Sequence, residues 1–267
     1  MIETRNFDRV TQIKMSREYD GKPVYWMAAY LIDGLLIDTG CHETSKELES
    51  FLENKALRCG VNTHYHEDHI GGNHDIMTKY GIDIFAHPIS IPKIQARNYL
   101  FPYQEFAFGY PVPTTVKPLS DNLKTDQFTF QVIDTPGHCD GHICVVEMSQ
   151  GWCFTGDLFT RENPKFIRAE ENIGEIIQSM RKIIELPTDK LILFTSVGRI
   201  VEDGRKSLTD CMDYLTELSA RVKAMNASGL SVDEIVKDVF GGEHSFMQLT
   251  NGQFSTTHLV TSLLETT

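Results

Sequence analysis

The short segment from residue 64 to residue 72 constrains this chain most, because it gathers four candidate metal ligands within six residues. It reads His64-Tyr65-His66-Glu67-Asp68-His69 and continues as Ile70-Gly71-Gly72. Neutral imidazole and carboxylate groups are the ligands that a borderline divalent cation such as Zn²⁺ prefers, and a catalytic zinc also keeps a position open for water. Three imidazoles brought together would repel one another or bury protons unless something neutralised them. We therefore predict a hydrolytic metal centre here and not a histidine-rich surface loop.

Four motifs, in order along the chain, resemble those of the metallo-β-lactamase superfamily. The segment above resembles the family's metal loop, which reads His-x-His-x-Asp-His after a strand and before a helix. The other three matches are Leu35-Leu36-Ile37-Asp38-Thr39-Gly40, Asp134-Thr135-Pro136-Gly137-His138 and Phe154-Thr155-Gly156-Asp157. The resemblance implies one metal site at His64, His66 and His138, and a second at Asp68, His69 and a bridging Asp157. It also implies that Asp38 supports the metal loop from behind.

The fifth motif of the family is altered in this chain. After the apolar segment 191–194, relatives usually carry a Pro-Gly-His-Gly-like turn whose imidazole completes the second site. This chain instead reads Thr195-Ser196-Val197-Gly198-Arg199. Because Val197 cannot bind a metal, we expect one well-made site and one weak site, holding one or two Zn²⁺ ions, with iron or manganese as the alternative metals. A further alternative is that His244 or His258 folds back and replaces the missing ligand.

Composition excludes several classes of protein. The 267 residues are enough to bury a substantial core, and a net charge of −12 would repel a polyanion, so no nucleic-acid partner is expected. The longest apolar stretch, 24–32, is too short to cross a bilayer, and the N-terminus lacks a secretory signal, so no membrane association is expected. Six cysteines without a Cys-x-x-Cys pair are typical of reduced thiols. We therefore expect a cytoplasmic protein.

Hydrophobic periodicity predicts alternating strands and helices. Strands are predicted at 7–14, 23–32, 35–37, 57–62, 82–86, 128–134, 142–148, 152–155 and 191–194, and helices at 43–57, 73–80 and 172–186. Both halves contain strands followed by helices, with the candidate ligands at strand ends. This pattern indicates the α/β class, and the family resemblance implies an αββα sandwich of the metallo-β-lactamase type.

The end of the chain is predicted to be all-helical. We expect a catalytic domain over residues 1–204 and a helical appendage over 205–267, with helices at 207–225, 231–240 and 255–264. Ser231 followed by Glu234 predicts a capping box at the start of the middle helix. The appendage is acidic, which disfavours a DNA-reading module. Appendages in several branches of the superfamily cover the active-site face or form dimers, which leaves a homodimer open.

The segment 99–113 is unusually aromatic and contains proline and glycine, so it is predicted to be an irregular loop. A loop this apolar must cover another part of the protein, contact a partner subunit or line a substrate pocket. The candidate pocket residues are His42, Phe106, Phe108, Val197 and Arg199. Glu67, in the metal loop, is expected to be solvated.

The predicted function is hydrolysis of an ester, thioester, lactone or related bond of a small molecule. A metal held by imidazoles lowers the pKa of its water from 15.7 to about 7, and Asp68 is placed to orient the resulting hydroxide and take its proton. One alternative is a sulfur dioxygenase, whose single iron would be held by His64, His138 and Asp157, although segment 158–161 lacks the Arg-Gly-Cys-Gly-Arg-like run of those enzymes. The other alternative is a non-catalytic metal-binding or scaffold protein, which only Val197 supports.

Overall fold

Two stacked β-sheets form the centre of the protein in a computed structural model that describes residues 1–266. In chain order the strands are β1 (Ile2–Phe7), β2 (Val10–Met15), β3 (Glu18–Tyr19), β4 (Lys22–Pro23), β5 (Met27–Ile32), β6 (Leu35–Ile37), β7 (Cys59–Val61), β8 (Asp83–Ala86), β9 (Lys117–Pro118), β10 (Asn122–Lys124), β11 (Thr129–Asp134), β12 (Ile143–Glu147), β13 (Trp152–Gly156), β14 (Ile167–Arg168), β15 (Ile192–Thr195), β16 (Ile200–Val201) and β17 (Phe254–Ser255).

Helices connect these strands and extend the C-terminal part of the chain. They are α1 (Ser45–Phe51), α2 (Glu67–Ile70), α3 (Asn73–Tyr80), α4 (Ile91–Ile94), α5 (Pro102–Phe108), α6 (Ile173–Ile184), α7 (Gly204–Ala227), α8 (Val232–Phe240), α9 (Phe246–Leu249) and α10 (Thr256–Glu265). Within the described chain, no helix is both long enough and apolar enough to span a membrane.

The first sheet has the strand order β1-β2-β5-β6-β7-β8-β9, and the second has the order β10-β11-β12-β13-β15-β16. Side chains from the facing surfaces form one core, which includes Tyr30, Ile37, Val61, Val145, Trp152, Phe154 and Phe194. Helices α1 and α3 cover the outer face of the first sheet, and α6, α7 and α10 cover that of the second. This arrangement confirms the predicted αββα sandwich.

The strand ends that carry the candidate ligands meet at one edge of the sandwich. Strand β6 is parallel to β7, and β13 is parallel to β15, so the carboxyl ends of each pair lie side by side. Two backbone hydrogen bonds join the sheets at this edge, since the amide of Ile143 donates to the carbonyl of Thr63 at 2.9 Å and the amide of Ala28 to that of Ser196 at 2.6 Å. These two hydrogen bonds therefore hold the two sheets together at the edge that carries the candidate ligands.

Three sequence-based predictions of local structure are wrong. The single strand predicted over 7–14 is a hairpin, because Asp8 adopts a left-handed conformation with φ 52° and reverses the chain between β1 and β2. The helix predicted over 43–57 ends at Phe51. The segment 99–113 contains the helix α5, in which Pro102 lies at a first-turn position that tolerates proline and Gly109, at φ 70°, follows the last turn.

The C-terminal helices pack on the second sheet and α6. Helices α7, α8 and α10 share one hydrophobic core with α6 and the outer face of the second sheet. The capping box predicted for Ser231 and Glu234 is present at the start of α8. Strand β17 pairs with β14 and so ties the last segment to the region after Asp157. The proposed division of the chain at residue 204 remains a prediction.

Candidate metal centre

Asp38 organises the metal loop through its carboxylate. One oxygen accepts the backbone N–H of Thr63 at 2.7 Å, and the other accepts the Thr63 hydroxyl at 2.8 Å and Nδ1 of His69 at 2.8 Å. Asp38 itself adopts φ 59°, a left-handed conformation that aspartate tolerates better than most residues. The residue therefore lies where the family resemblance places it, directly behind the loop.

Three imidazoles converge on one point. His64 Nε2 lies 3.0 Å from His66 Nδ1, and His138 Nε2 lies 2.9 Å from the same atom. Ligand nitrogens of a tetrahedral zinc site lie about 3.3 Å apart, given a Zn–N distance of about 2.0–2.1 Å. All three side chains are buried, and the ligand atoms of His64, His138 and Asp157 lie within 4.8 Å of one another. The spacing fits a shared cation.

A second group of ligand atoms lies on the other side of Asp157. One Asp157 oxygen is 3.3 Å from Nε2 of His69, and the other is 3.3 Å from Nε2 of His138. Asp68 approaches from the metal loop, with Oδ2 at 3.8 Å from His69 Nε2. Each oxygen of Asp157 therefore faces a different histidine, which is the arrangement that a carboxylate bridging two cations requires.

Unpartnered atoms and local charge support a metal at this place. Within residues 1–266, His69 Nε2 and Asp68 Oδ1 are buried and have no hydrogen-bond partner. Burial lowers the pKa of His69, but Asp38, Asp68 and Asp157 together raise that pKa well above its usual value. Burial raises the pKa of Asp68. Buried polar atoms without partners, together with several carboxylates and imidazoles, are the ligand groups that a divalent cation requires. These residues therefore fit the metal that the family implies.

Two further residues fix the ligands from behind, and the sequence analysis did not identify their roles. Nδ1 of His138 donates to Glu171, which leaves Nε2 free to face the centre. His142 is buried, accepts the backbone N–H of Asp157 on Nε2 at 3.1 Å and contacts the carbonyl of Thr135 through Nδ1 at 3.0 Å. Burial lowers the pKa of His142 to about 3. Glu171 lies too far along the chain from His138 for any local pattern to indicate the pairing.

Cys139 brings a thiol to the same region. Its Sγ and the nearest ring nitrogens of His64 and His66 lie within 4.8 Å of one another. Burial raises the pKa of the Cys139 thiol, so it is protonated near neutral pH when no metal is bound.

Glu67 is buried, so the prediction that it is solvated is wrong. Only 5% of its surface is exposed, and Oε1 accepts Nε2 of Gln104 at 2.6 Å. Gln104 belongs to α5, which covers the metal loop. The sequence analysis treated that segment as a loop and therefore had no reason to place it over Glu67.

The altered fifth motif lies beside the second ligand group. Val197 lines the cavity at the metal centre, while the Ser196 hydroxyl beside it is buried and unpartnered among the described atoms. His244 packs on the ring of Phe166, with 4.3 Å between ring centroids, and His258 Nε2 donates to the carbonyl of Gly252 at 2.8 Å. Neither histidine therefore supplies the missing ligand.

A cavity of about 330 Å³ opens onto the centre. Its wall contains Asp68, His138 and Asp157, together with the predicted pocket residues Val197, Phe106 and Phe108. The other two predicted pocket residues, His42 and Arg199, are not part of this wall. Arg199 is instead paired with Glu162, at 2.8 Å between Nη2 and Oε1. Pockets of this size bind drug-sized molecules.

Comparison with known proteins adds three findings. The sequence model of the metallo-beta-lactamase superfamily matches residues 28–195. A hydroxyacylglutathione hydrolase from Pelagibacter ubique is 29% identical over 146 residues, which are 54% of this chain and 54% of that protein, and one from Rhodospirillum rubrum is 26% identical over 176 residues, 66% of this chain and 58% of that protein. The chain thus spans little more than half the length of these relatives.

Solved structures share the fold over nearly the whole chain. A beta-lactamase domain protein from Burkholderia ambifaria superposes with a TM-score of 0.66 at 17% identity, covering 99% of this chain and 85% of that one. The extent of this match includes the C-terminal helices as well as the two sheets.

Proposed function

Because the chain belongs to the metallo-beta-lactamase superfamily, we propose that it is a metal-dependent hydrolase that cleaves an ester, thioester, lactone or related bond of a small molecule. One observation carries the proposal: two ligand groups share Asp157, and Asp157, Asp68 and His138 lie in the wall of a largely apolar cavity. The whole protein's activity is a proposal, since the related hydrolases match over only part of their length.

The residues of the centre would hold a metal that activates water for the reaction. Zn²⁺ held by His64, His66 and His138 would lower the pKa of its bound water and polarise a carbonyl or phosphoryl oxygen. We expect the second ion, near Asp68, His69 and Asp157, to be held weakly because Val197 offers no ligand. Iron and manganese remain the alternative metals.

Asp68 is the residue that we propose moves the proton. Its Oδ1 is buried without a partner, and its side chain lies in the cavity wall beside Asp157. Burial raises the pKa of this carboxyl, which brings it closer to neutral pH and makes it a better proton acceptor for an attacking water. Asp68 would hold that proton and pass it to the leaving group.

Residues behind the ligands hold the protons of the histidines in place. Asp38 accepts Nδ1–H of His69 and Glu171 accepts Nδ1–H of His138, so Nε2 is the nitrogen that each ring turns toward the centre. His142 binds the backbone of Asp157 and so fixes the bridging carboxylate. These contacts pre-organise the ligand atoms before a metal binds.

The names of the relatives support an acyl substrate. Both curated relatives above are named hydroxyacylglutathione hydrolase, a name that describes release of a hydroxyacyl group from glutathione. We therefore place thioesters first among the candidate substrates. We further propose a cytoplasmic enzyme without a nucleic-acid partner, as the composition indicates, and leave a homodimer as a prediction.

A mononuclear-iron dioxygenase is the second candidate function. The ligand atoms of His64, His138 and Asp157 form a two-histidine, one-carboxylate group within 4.8 Å, which is the ligand type of non-heme iron oxygenases. Metal analysis of protein purified without added metal distinguishes the two: zinc supports the hydrolase, and iron with oxygen uptake on a persulfide supports the dioxygenase.

The proposal is tested by removing one ligand. We expect His66→Ala to lose most of its bound metal and all hydrolysis of a panel of thioesters, esters and lactones, because His66 Nδ1 lies between the other two imidazoles. His74→Ala is the matched control, since His74 is an exposed histidine of α3. Unchanged metal content in His66→Ala would overturn the ligand assignment. Activity that survives loss of the metal would overturn the hydrolase mechanism.

A further inference from the structure

Arg168 is a buried cation whose donors are not used. It lies in β14, and only 5% of its surface is exposed. Its guanidinium lies over the ring of Phe254, with 5.0 Å to the ring centroid. Among residues 1–266, the nearest carboxylate oxygens are those of Glu170 at 3.8 Å and Glu67 at 4.0 Å, and Nε is buried without a hydrogen-bond partner.

Glu67 balances the charge of Arg168 without satisfying its donors. The Glu67 oxygen nearer to Arg168 already accepts the amide of Gln104 at 2.6 Å. Guanidinium groups present five N–H donors in a planar fork that matches an oxyanion. A buried donor without an acceptor is costly, so an ordered guanidinium of this kind points to an acceptor that arrives from outside the chain.

The surroundings of Arg168 define that acceptor. Arg168 lies in the wall of the cavity of about 330 Å³ that contains Asp68 and Asp157, and it also borders a second cavity of about 310 Å³. Two exposed cations, Arg161 and Lys165, lie in the wall of the first cavity. The same wall contains the carboxylates of Asp68, Asp157 and Glu171. Glu171 pairs with His138, and a metal held by Asp68 and Asp157 would offset their charge, so that the three cations would attract an anion.

Most of the remaining wall of the first cavity is apolar. Its wall includes Phe106, Phe108, Phe159, Leu215, Leu249 and Phe254. The first two belong to α5, and Leu249 belongs to α9, where it is 68% exposed. A largely apolar wall that also contains a buried cation suits a molecule that has both an apolar part and a negative group.

We propose that this cavity binds an amphipathic small molecule whose oxyanion group pairs with Arg168 and whose apolar part contacts α5 and α9. The inference rests on the proposed function only in taking that molecule as the substrate of the hydrolase. It predicts that the native substrate carries a negative group, in addition to the bond that is cleaved, and an apolar group.

Binding of two matched probes tests the proposal without requiring turnover. The zinc-loaded full-length protein is titrated with 1-octanesulfonate and with 1-octanol in a calorimeter, below the micelle concentration of the sulfonate. We expect the sulfonate to bind at least about tenfold more tightly, because charge-assisted hydrogen bonds exceed neutral ones by this order. Shortening the sulfonate should lower its affinity by roughly two- to fourfold per methylene.

A variant that removes the charge of Arg168 tests whether the anion binds this residue or the metal. Arg168→Met should abolish the preference for the sulfonate and leave octanol binding and zinc content unchanged. Arg221→Gln is the matched control, because Arg221 is an exposed arginine of α7 whose neighbour is Asp238 at 3.6 Å. A preference that survives in Arg168→Met would mean that the metal or the exposed cations bind the anion, and would overturn the assignment.

Two measurements on the wild type keep the proposal testable if Arg168→Met does not fold. Equal affinity for the two probes, or affinity that does not depend on chain length, would overturn it directly. Failure of the hydrolase proposal gives a different result: the sulfonate preference would be present, and no ester, thioester or lactone would be hydrolysed.

Discussion

Asp38→Asn tests how the protein prepares His69 for a metal. The carboxylate of Asp38 accepts three hydrogen bonds, two from Thr63 and one from Nδ1 of His69. An asparagine has the same shape and can still accept the backbone N–H of Thr63. Its amide nitrogen, however, donates where the second carboxylate oxygen accepts. His69 must then accept on Nδ1 and carry its proton on Nε2.

The expected loss follows from that change of tautomer. Nε2 of His69 faces Asp157 at 3.3 Å, and a protonated nitrogen has no lone pair for a metal. Changes to such supporting carboxylates typically lower metal affinity by about 10- to 100-fold, or roughly 1.4–2.7 kcal/mol. The loss should fall on the second site, because none of the three imidazoles of the other site bonds directly to Asp38.

Competition with a chromophoric chelator measures both sites at once. We expect Asp38→Asn to retain one tightly held zinc and to release the other at least about tenfold more readily than the wild type. Asp33→Asn is the matched control, because Asp33 also accepts a backbone N–H, from Gln127 at 2.8 Å, but lies on the surface away from the centre. Identical release curves for Asp38→Asn and the wild type would refute the tautomer argument.

Three other substitutions test separate parts of the account. Val197→His should raise tightly bound metal toward two equivalents and slow its loss to a chelator, and hydrolysis should fall if the native substrate uses the vacant position; a wild type that already retains two metals equally firmly would contradict our view of the second site. Asp68→Asn should remain folded and metal-loaded but lose about 10²- to 10⁴-fold in turnover, because an amide cannot accept the proton; near-wild-type turnover would remove Asp68 from the mechanism. Gly71→Ala should destabilise the protein by about 1–3 kcal/mol in chemical denaturation, since a Cβ there would lie 2.1 Å from the backbone nitrogen of His42, and an unchanged midpoint would show that the loop adapts.

The candidate ligands can be identified in the sequence because they lie in short motifs at strand ends. His64, His66, Asp68 and His69 are four of six consecutive residues, so the turn after strand β7 and helix α2 bring them close together along the chain. His138 and Asp157 follow other strands of the second sheet. Once two stacked sheets were expected, the meeting of these strand ends at one edge followed.

Contacts between distant segments could not be predicted in the same way. Glu171 pairs with His138 and Gln104 pairs with Glu67 only because β14, β17 and α5 fold over the loop. The sequence does not predict helix α5 because its proline and glycine also indicate breaks, although proline suits a first helical turn and glycine suits the residue after the last. The side of a segment that faces the centre depends on tertiary packing and not on local spacing.

The central claim is that the protein is a metal-dependent hydrolase. Zinc titration of the metal-free protein tests this claim most directly, provided that bound metal and thioester hydrolysis are measured in the same samples. The account predicts no hydrolysis without metal, a rise in proportion to the first equivalent bound, and loss of both signals in His66→Ala. Hydrolysis that is unaffected by removing the metal, or a fully loaded protein that cleaves no thioester, ester or lactone, would contradict it.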